Sequence, residues 1–195
     1  MLLDLNDKSI TKLGSVEEIQ SHFINSMKDE EVCLEFGVFE GKSINRMARI
    51  KPNGTFVGFD SFLGLPEFWV GDFVKGTFAT EFDKLKFEPN VSIVKGWFDE
   101  TLELFIENND LSKLKFVHID CDLYSSTKYV LDKLNDVIIR NECYILFDEF
   151  YNYEGSENDE FAAFLEWVNN NNVSYTVLSK NIHHQQVLIK INGKI

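Results

Sequence analysis

Glu35-Phe36-Gly37-Val38-Phe39-Glu40-Gly41-Lys42-Ser43 ends an apolar run and opens a helical pattern. His118-Ile119-Asp120-Cys121-Asp122-Leu123-Tyr124 does the same later in the chain. Glycine at a strand-to-helix turn takes backbone angles that other residues avoid and lets a ligand approach the main chain. Carboxylates at a strand's C-terminal end point into the crevice where open α/β sheets take ligands. The two stretches therefore predict an α/β sheet with a cofactor-binding turn and an acidic edge, the outline of an enzyme.

On either side of them strand and helix alternate. Val16, Ile19, Phe23, Ile24 and Met27 recur at helical spacing over 16–27, behind Ser15 as N-cap and Glu18 as its capping-box partner. Strands are predicted at 32–36, 55–59 (ending at Asp60), 91–95, 116–120 and 143–147, with helices at 43–50, 100–107, 125–134 and 157–168. Two further strands, 175–178 and 187–191, have only a short connection containing His183 and His184 between them, so an antiparallel pair closes the chain. Residues 61–83 interleave Gly64, Pro66, Gly71 and Gly76 with Phe62, Trp69, Phe73 and Phe78. So long a loop in a compact domain reads as a mobile aromatic lid or as a hydrophobic cluster under a loop.

A chain of 195 residues, 44% hydrophobic and 26% charged, predicts one domain with one substantial core over 1–195, opening on a short helical segment over about 1–30. The net charge of −13 and the lack of a Lys/Arg cluster argue against a nucleic-acid partner, which requires a basic footprint. There is no apolar run of about 18 residues for a membrane span. Met1-Leu2-Leu3-Asp4-Leu5-Asn6-Asp7 lacks the basic and apolar segments of a signal peptide. Cys33, Cys121 and Cys143 form no CxxC pair and read as buried reduced thiols of a cytoplasmic protein.

Three ligand motifs compete for the glycine turn. The dinucleotide fingerprint G-x-G-x-x-G fails, because Gly37 and Gly41 are separated by Val38, Phe39 and Glu40. A P-loop would end in Gly41-Lys42-Ser43, with Asp148 and Glu149 as the acidic strand end of an ATPase or kinase. Its first glycine, however, is Phe36, and Glu35 and Glu40 would face the phosphates. The third reading, E-x-G-x-x-x-G with an acid after the next strand, suits S-adenosylmethionine. A carboxylate at the turn meets the cationic amino-acid end, Asp60 accepts the ribose hydroxyls, and no phosphate needs cradling.

The chain resembles the macrocin O-methyltransferase (TylF-type) family of class I S-adenosylmethionine-dependent methyltransferases. The resemblance is carried by residues 34–43, Asp60-Ser61-Phe62-Leu63-Gly64-Leu65-Pro66, Lys95-Gly96-Trp97-Phe98, Asp120-Cys121-Asp122-Leu123-Tyr124-Ser125-Ser126-Thr127 and Phe147-Asp148-Glu149-Phe150, in family order. It implies a Rossmann-like, seven-stranded, mostly parallel sheet with helices on both faces and an antiparallel C-terminal strand. It implies methyl transfer to a hydroxyl of a sugar or natural product, aided by Mg2+. The cofactor would be held by the turn residues Glu35, Phe36, Gly37, Val38, Gly41 and Ser43. Asp60 and Ser61 would hold the ribose side, Gly96, Trp97 and Phe98 the adenine, with Asp120 and Tyr124 alongside. Asp120, Asp148 and Glu149 would hold the metal. The family pattern has paired aspartates where this chain has Asp148-Glu149, which puts the metal in question. With only about thirty residues before the first of these strands, the acceptor pocket is expected to be open.

Methyl transfer to an alcohol needs an oxygen stripped of its proton, and three acids at adjacent strand ends supply a base, Asp120, and a metal site. The bland alternative leaves Asp148 and Glu149 as helix caps or solvated acids. Asp122 reads as a turn residue, His118 as a core histidine, and His22, His183 and His184 carry no role. A non-catalytic S-adenosylmethionine-binding domain stays open beside the enzyme and the ATPase. The expected partner is a small hydroxylated substrate, and self-association into a homo-oligomer is left open.

Overall fold

The computed structural model describes residues 4–195, so the first three residues of the Met1–Asp7 stretch, expected not to be a signal peptide, lie outside the described residues. Among the described residues eight strands form one sheet: β1 (Thr11–Leu13), β2 (Val32–Phe36), β3 (Thr55–Asp60), β4 (Val91–Lys95), β5 (Leu114–Ile119), β6 (Tyr144–Phe147), β7 (Val173–Asn181) and β8 (Val187–Lys194). Their spatial order is β1-β7-β8-β6-β5-β2-β3-β4, and β8 runs antiparallel to both its neighbours while every other pairing is parallel. The expected reversed strand is therefore present. The expected count of seven is corrected to eight, because Thr11–Leu13 adds a short edge strand beside Ser179–Asn181 of β7.

Among the described residues six helices flank the sheet: α1 (Val16–Ile24), α2 (Lys42–Ile50), α3 (Phe98–Asn108), α4 (Tyr124–Lys133), α5 (Asn135–Asn141) and α6 (Glu160–Asn171). Ser15 caps α1 as its sequence predicts, accepting from Glu18 N at 3.2 Å, while Glu18 Oε2 accepts from Gly14 N at 2.8 Å. The helix stops three residues short of Met27, where Ser26 N and Met27 N turn to carbonyls three residues back. The last long helix begins at Glu160, not 157, because residues 156–158 form a separate 3₁₀ turn.

Strands covered on both faces read as continuous apolar runs, and alternation then divides them between two cores. Leu34, Phe36, Val57, Phe59, Val117, Ile119 and Phe147 face the layer that holds Leu102, Val130, Phe164 and Trp167. Cys33, Phe56, Phe116 and Leu146 face Ile19, Phe23, Ile44 and Met47 from α1 and α2. Glu35, His118 and Asp148 continue the parity of this second set toward the strand ends, which is why polar side chains gather under α2. No helix among the described residues is long and apolar enough to cross a membrane.

Candidate active site

The strand order reverses between β5 and β2, and a cavity of about 750 Å3 opens at their C-terminal ends. Such a switch point is where open α/β sheets take ligands. The two strands approach closely there. Asp120 N donates to Phe36 O at 2.9 Å, and a Cβ on Gly37 would stand 1.6 Å from the Asp120 carbonyl oxygen. Gly37 has φ +91°, so glycine satisfies both the backbone angle and the close approach.

Of the residues singled out in the sequence, Gly37, Asp60, Ser61, Trp97, Phe98, Asp120 and Glu149 line the cavity. Glu35, Phe36, Val38, Gly41, Ser43, Gly96, Tyr124 and Asp148 stand outside its lining. Phe36 is buried behind the wall, stacked on Phe59 and edge-on to Phe98. Val38 is buried beside the turn, and Gly41, at φ +73°, packs against Phe87 as the N-cap of α2. Ser43 Oγ accepts from Gln20 Nε2 at 2.8 Å. Gly96 N donates to Asp60 O at 3.0 Å, and the Tyr124 hydroxyl donates to Glu166. Glu35 is fully buried and turned away from the cavity, with its Oε2 2.9 Å from His118 Nδ1.

Asp60 organises the turn. Its Oδ2 accepts from Val38 N and Phe39 N, both at 2.8 Å, and its Oδ1 accepts from Phe62 N at 2.7 Å. One carboxylate thus joins the glycine turn to the start of the 61–83 loop. That loop folds back on itself, with Leu65 N donating to Thr77 O and Gly76 N to Leu65 O. Trp69 Nε1 donates to Asp159 Oδ2 at 2.9 Å, and Ser125 Oγ donates to Glu67 Oε1 at 2.6 Å, so the loop reaches across to the N-termini of α6 and α4. Phe62 packs into the core against Phe82, whereas Phe73 and Phe78 stack on each other with their edges exposed.

The acidic edge holds more carboxylates than the sequence singled out. Burial and the charge of Asp148 push Asp120, Glu149 and Glu160 well above the ordinary carboxylate range. Burial, Asp148 and Asp159 push Asp122 up to about 7. Burial acts on Asp148 too, but the facing His118 and the Gln186 amide hold it below its usual value. For His118, burial opposes the charged form, yet Asp148, Glu35 and Asp120 raise it to about 10. Its Nε2 lies 3.8 Å from Asp148 Oδ1, an ion-pair contact longer than a hydrogen bond.

Glu160 is the residue that sequence reasoning missed. It is fully buried, accepts from Glu149 N at 3.1 Å and Cys121 N at 3.5 Å, and so ties the loops after β5 and β6 to α6. The one signal was an acid just before Phe161 at the head of an amphipathic stretch. The P-loop reading loses its lysine: Lys42 is largely solvent-exposed and pairs with Glu40, away from the cavity.

The topology and the placement of the cavity define a Rossmann-like methyltransferase fold. Residues 34–150 match the family described as a methyltransferase domain (Methyltransf_24), and the chain belongs to that family. Among solved structures, it is similar to CalS11, a calicheamicin methyltransferase, with a TM-score of 0.68 and 19% identity over 91% of this chain and 77% of that one. It is similar to the O-methyltransferase NovP, with a TM-score of 0.66 and 18% identity over 91% and 79%. A Bacillus cereus O-methyltransferase in complex with SAH gives 0.59 and 14% over 90% and 79%. No curated protein sequence matches the chain.

Proposed function

We propose that the chain is an S-adenosylmethionine-dependent O-methyltransferase of the macrocin (TylF) type, acting on a hydroxyl of a small uncharged molecule with help from a divalent cation. The observation that carries this reading is the character of the cavity. Carboxylates of Asp60, Glu67, Asp99, Asp120, Asp122 and Glu149 line it, and Lys75 is the one basic residue among the lining. Such a wall repels a triphosphate and suits a sulfonium. Phe39, Phe78, Trp97 and Phe98 supply apolar and cation-attracting faces. The likeness to the methyltransferase CalS11, the O-methyltransferase NovP and the SAH-bound Bacillus cereus enzyme supports the same class.

In this reading Gly37 gives the methionine end access to the main chain. Asp60, which keeps one lone pair on Oδ1 beyond its three N–H bonds, accepts from the ribose with Ser61 beside it, and Trp97 and Phe98 flank the adenine. Asp120 takes the acceptor's proton. Burial and Asp148 raise its pKa, which makes it a stronger proton acceptor than a solvated carboxylate. The donor set also fits a cation: buried carboxylates converge on the edge, and Glu149 Oε2 is buried without a partner. Asp120 and Asp148 would hold the ion with Glu149 nearby, and its chemistry there is to lower the acceptor's pKa and orient its oxygen.

Calorimetry with S-adenosylmethionine, SAH and ATP tests the cofactor, and methyl transfer to neutral glycosides and phenols, against nucleotide-linked sugars, tests the acceptor. We expect SAH to bind and ATP not to. Asp120→Asn should lower turnover on the order of 100-fold or more while SAH affinity is kept. Tight ATP binding without SAH binding would overturn the reading.

A further inference from the structure

We propose that the cation site at this edge is a mixed nitrogen–oxygen site, formed by His118 Nε2 with the Asp120 and Asp148 carboxylates and backed by Glu35, and that it selects a first-row transition-metal dication over magnesium. The inference deepens the methyltransferase reading and rests on it for what the ion does there.

The ligand atoms of His118, Asp120 and Asp148 lie within 4.8 Å of one another, and among the described residues no other such group forms; Glu149 is not part of it. His118 is 1% exposed, and its Nε2 is buried with no hydrogen-bond partner. A buried ring nitrogen that faces two carboxylates yet hydrogen-bonds to neither leaves, at 3.8 Å from Asp148, room for an ion between them.

The other side of the ring supplies the second argument. Glu35 and His118 are register partners on adjacent strands, and Glu35 Oε2 sits 2.9 Å from Nδ1. With Nδ1–H donated to Glu35, Nε2 is the nitrogen that faces the carboxylates, and it offers its lone pair once its proton is displaced. A carboxylate behind an imidazole is the usual outer support of a metal-bound histidine, fixing both its tautomer and its orientation. It also accounts for a fully buried acid that takes no part in lining the cavity. Any proton on Nε2 leaves to solvent as the metal enters. An imidazole donor favours manganese, iron, cobalt or zinc, whereas magnesium keeps to oxygen ligands and water.

The test uses the full chain stripped with a chelator, then titrated calorimetrically with Mn2+ and with Mg2+. Electron spin-echo spectroscopy of bound Mn2+ reads directly whether an imidazole nitrogen is coordinated, with no substitution needed. We expect 14N coupling in the wild type and an Mn2+ affinity at least ~10-fold above that for Mg2+. His118→Gln should abolish the coupling and narrow that gap. Glu35→Gln should keep the coupling and weaken Mn2+ by roughly 10–100-fold. Mn2+ bound without 14N coupling, equal affinity for Mg2+, or no binding of either ion would each overturn the proposal. In all three outcomes continued SAH binding would leave the methyltransferase reading standing, and loss of SAH binding with the nitrogen-coordinated metal intact would remove that reading alone.

Discussion

Gly37→Ala should be the most disruptive small substitution at the switch point, and its cost can be divided. The added carbon would meet the Asp120 carbonyl oxygen at 1.6 Å, where ordinary contact begins at 3.4 Å, so β2 and β5 must part by about 1.8 Å. Left-handed backbone costs an L-residue about 1–2 kcal/mol. Overpacking adds about 1–3 kcal/mol, and parting the strands breaks the Asp120 N to Phe36 O bond, worth about 1 kcal/mol. Gly155 isolates the first component. It has the same φ of +91°, but a Cβ there meets nothing within 4 Å. Gly155→Ala should therefore cost only the backbone strain, and Gly37→Ala about 2–4 kcal/mol more. For a chain of this size that is roughly 4–16 °C between the two melting temperatures. Urea unfolding of both variants beside wild type reads the difference. Gly37→Ala within about 0.5 kcal/mol of Gly155→Ala would refute the close-approach argument.

Asp60→Asn keeps an acceptor for the turn but loses the charge, so SAH should bind more weakly by roughly 1–3 kcal/mol, and unchanged calorimetric affinity would remove Asp60 from the cofactor site. Hydrogen exchange across residues 61–83 should slow when cofactor and acceptor bind, because Trp69 and Glu67 already tether the loop across the cavity; identical protection with and without ligands would make it a static loop. Burial raises the thiols of Cys33 and Cys121 well above their usual range and pushes Cys143 up to about 12. Iodoacetamide at pH 8 should thus leave native protein unlabelled and modify all three after denaturation, and rapid native labelling of any would contradict its burial.

The central strands were legible because each is a short apolar run between turn residues, and a sheet covered on both faces demands that pattern. Thr11–Leu13 was not, because a three-residue edge strand with its first two residues exposed has no apolar signature. Gly37, Asp60 and Asp120 were legible as cavity residues, since a glycine or an acid immediately after a strand has few other uses. Glu35 stands at the strand end where the spacing placed it, and its carboxylate is turned to His118. The E-x-G spacing marks where the strand ends and alternation marks its face, but only the register with β5 shows that His118 takes its carboxylate. Glu160 stayed hidden because a buried acid in a helix looks like any solvated one until two neighbouring loops present their N–H groups to it.

The alternation that sends Glu35, His118 and Asp148 to one face of the sheet has a consequence for how the chain finds its alignment. A slip of β5 by a single residue would turn His118 into the layer of Phe164 and Trp167 and bring Val117 or Ile119 against Glu35. An acid stripped of its partner in that interior costs several kcal/mol. Misaligned pairings that an all-apolar strand would tolerate are thereby rejected, so the polar side chains gathered under α2 proofread the sheet.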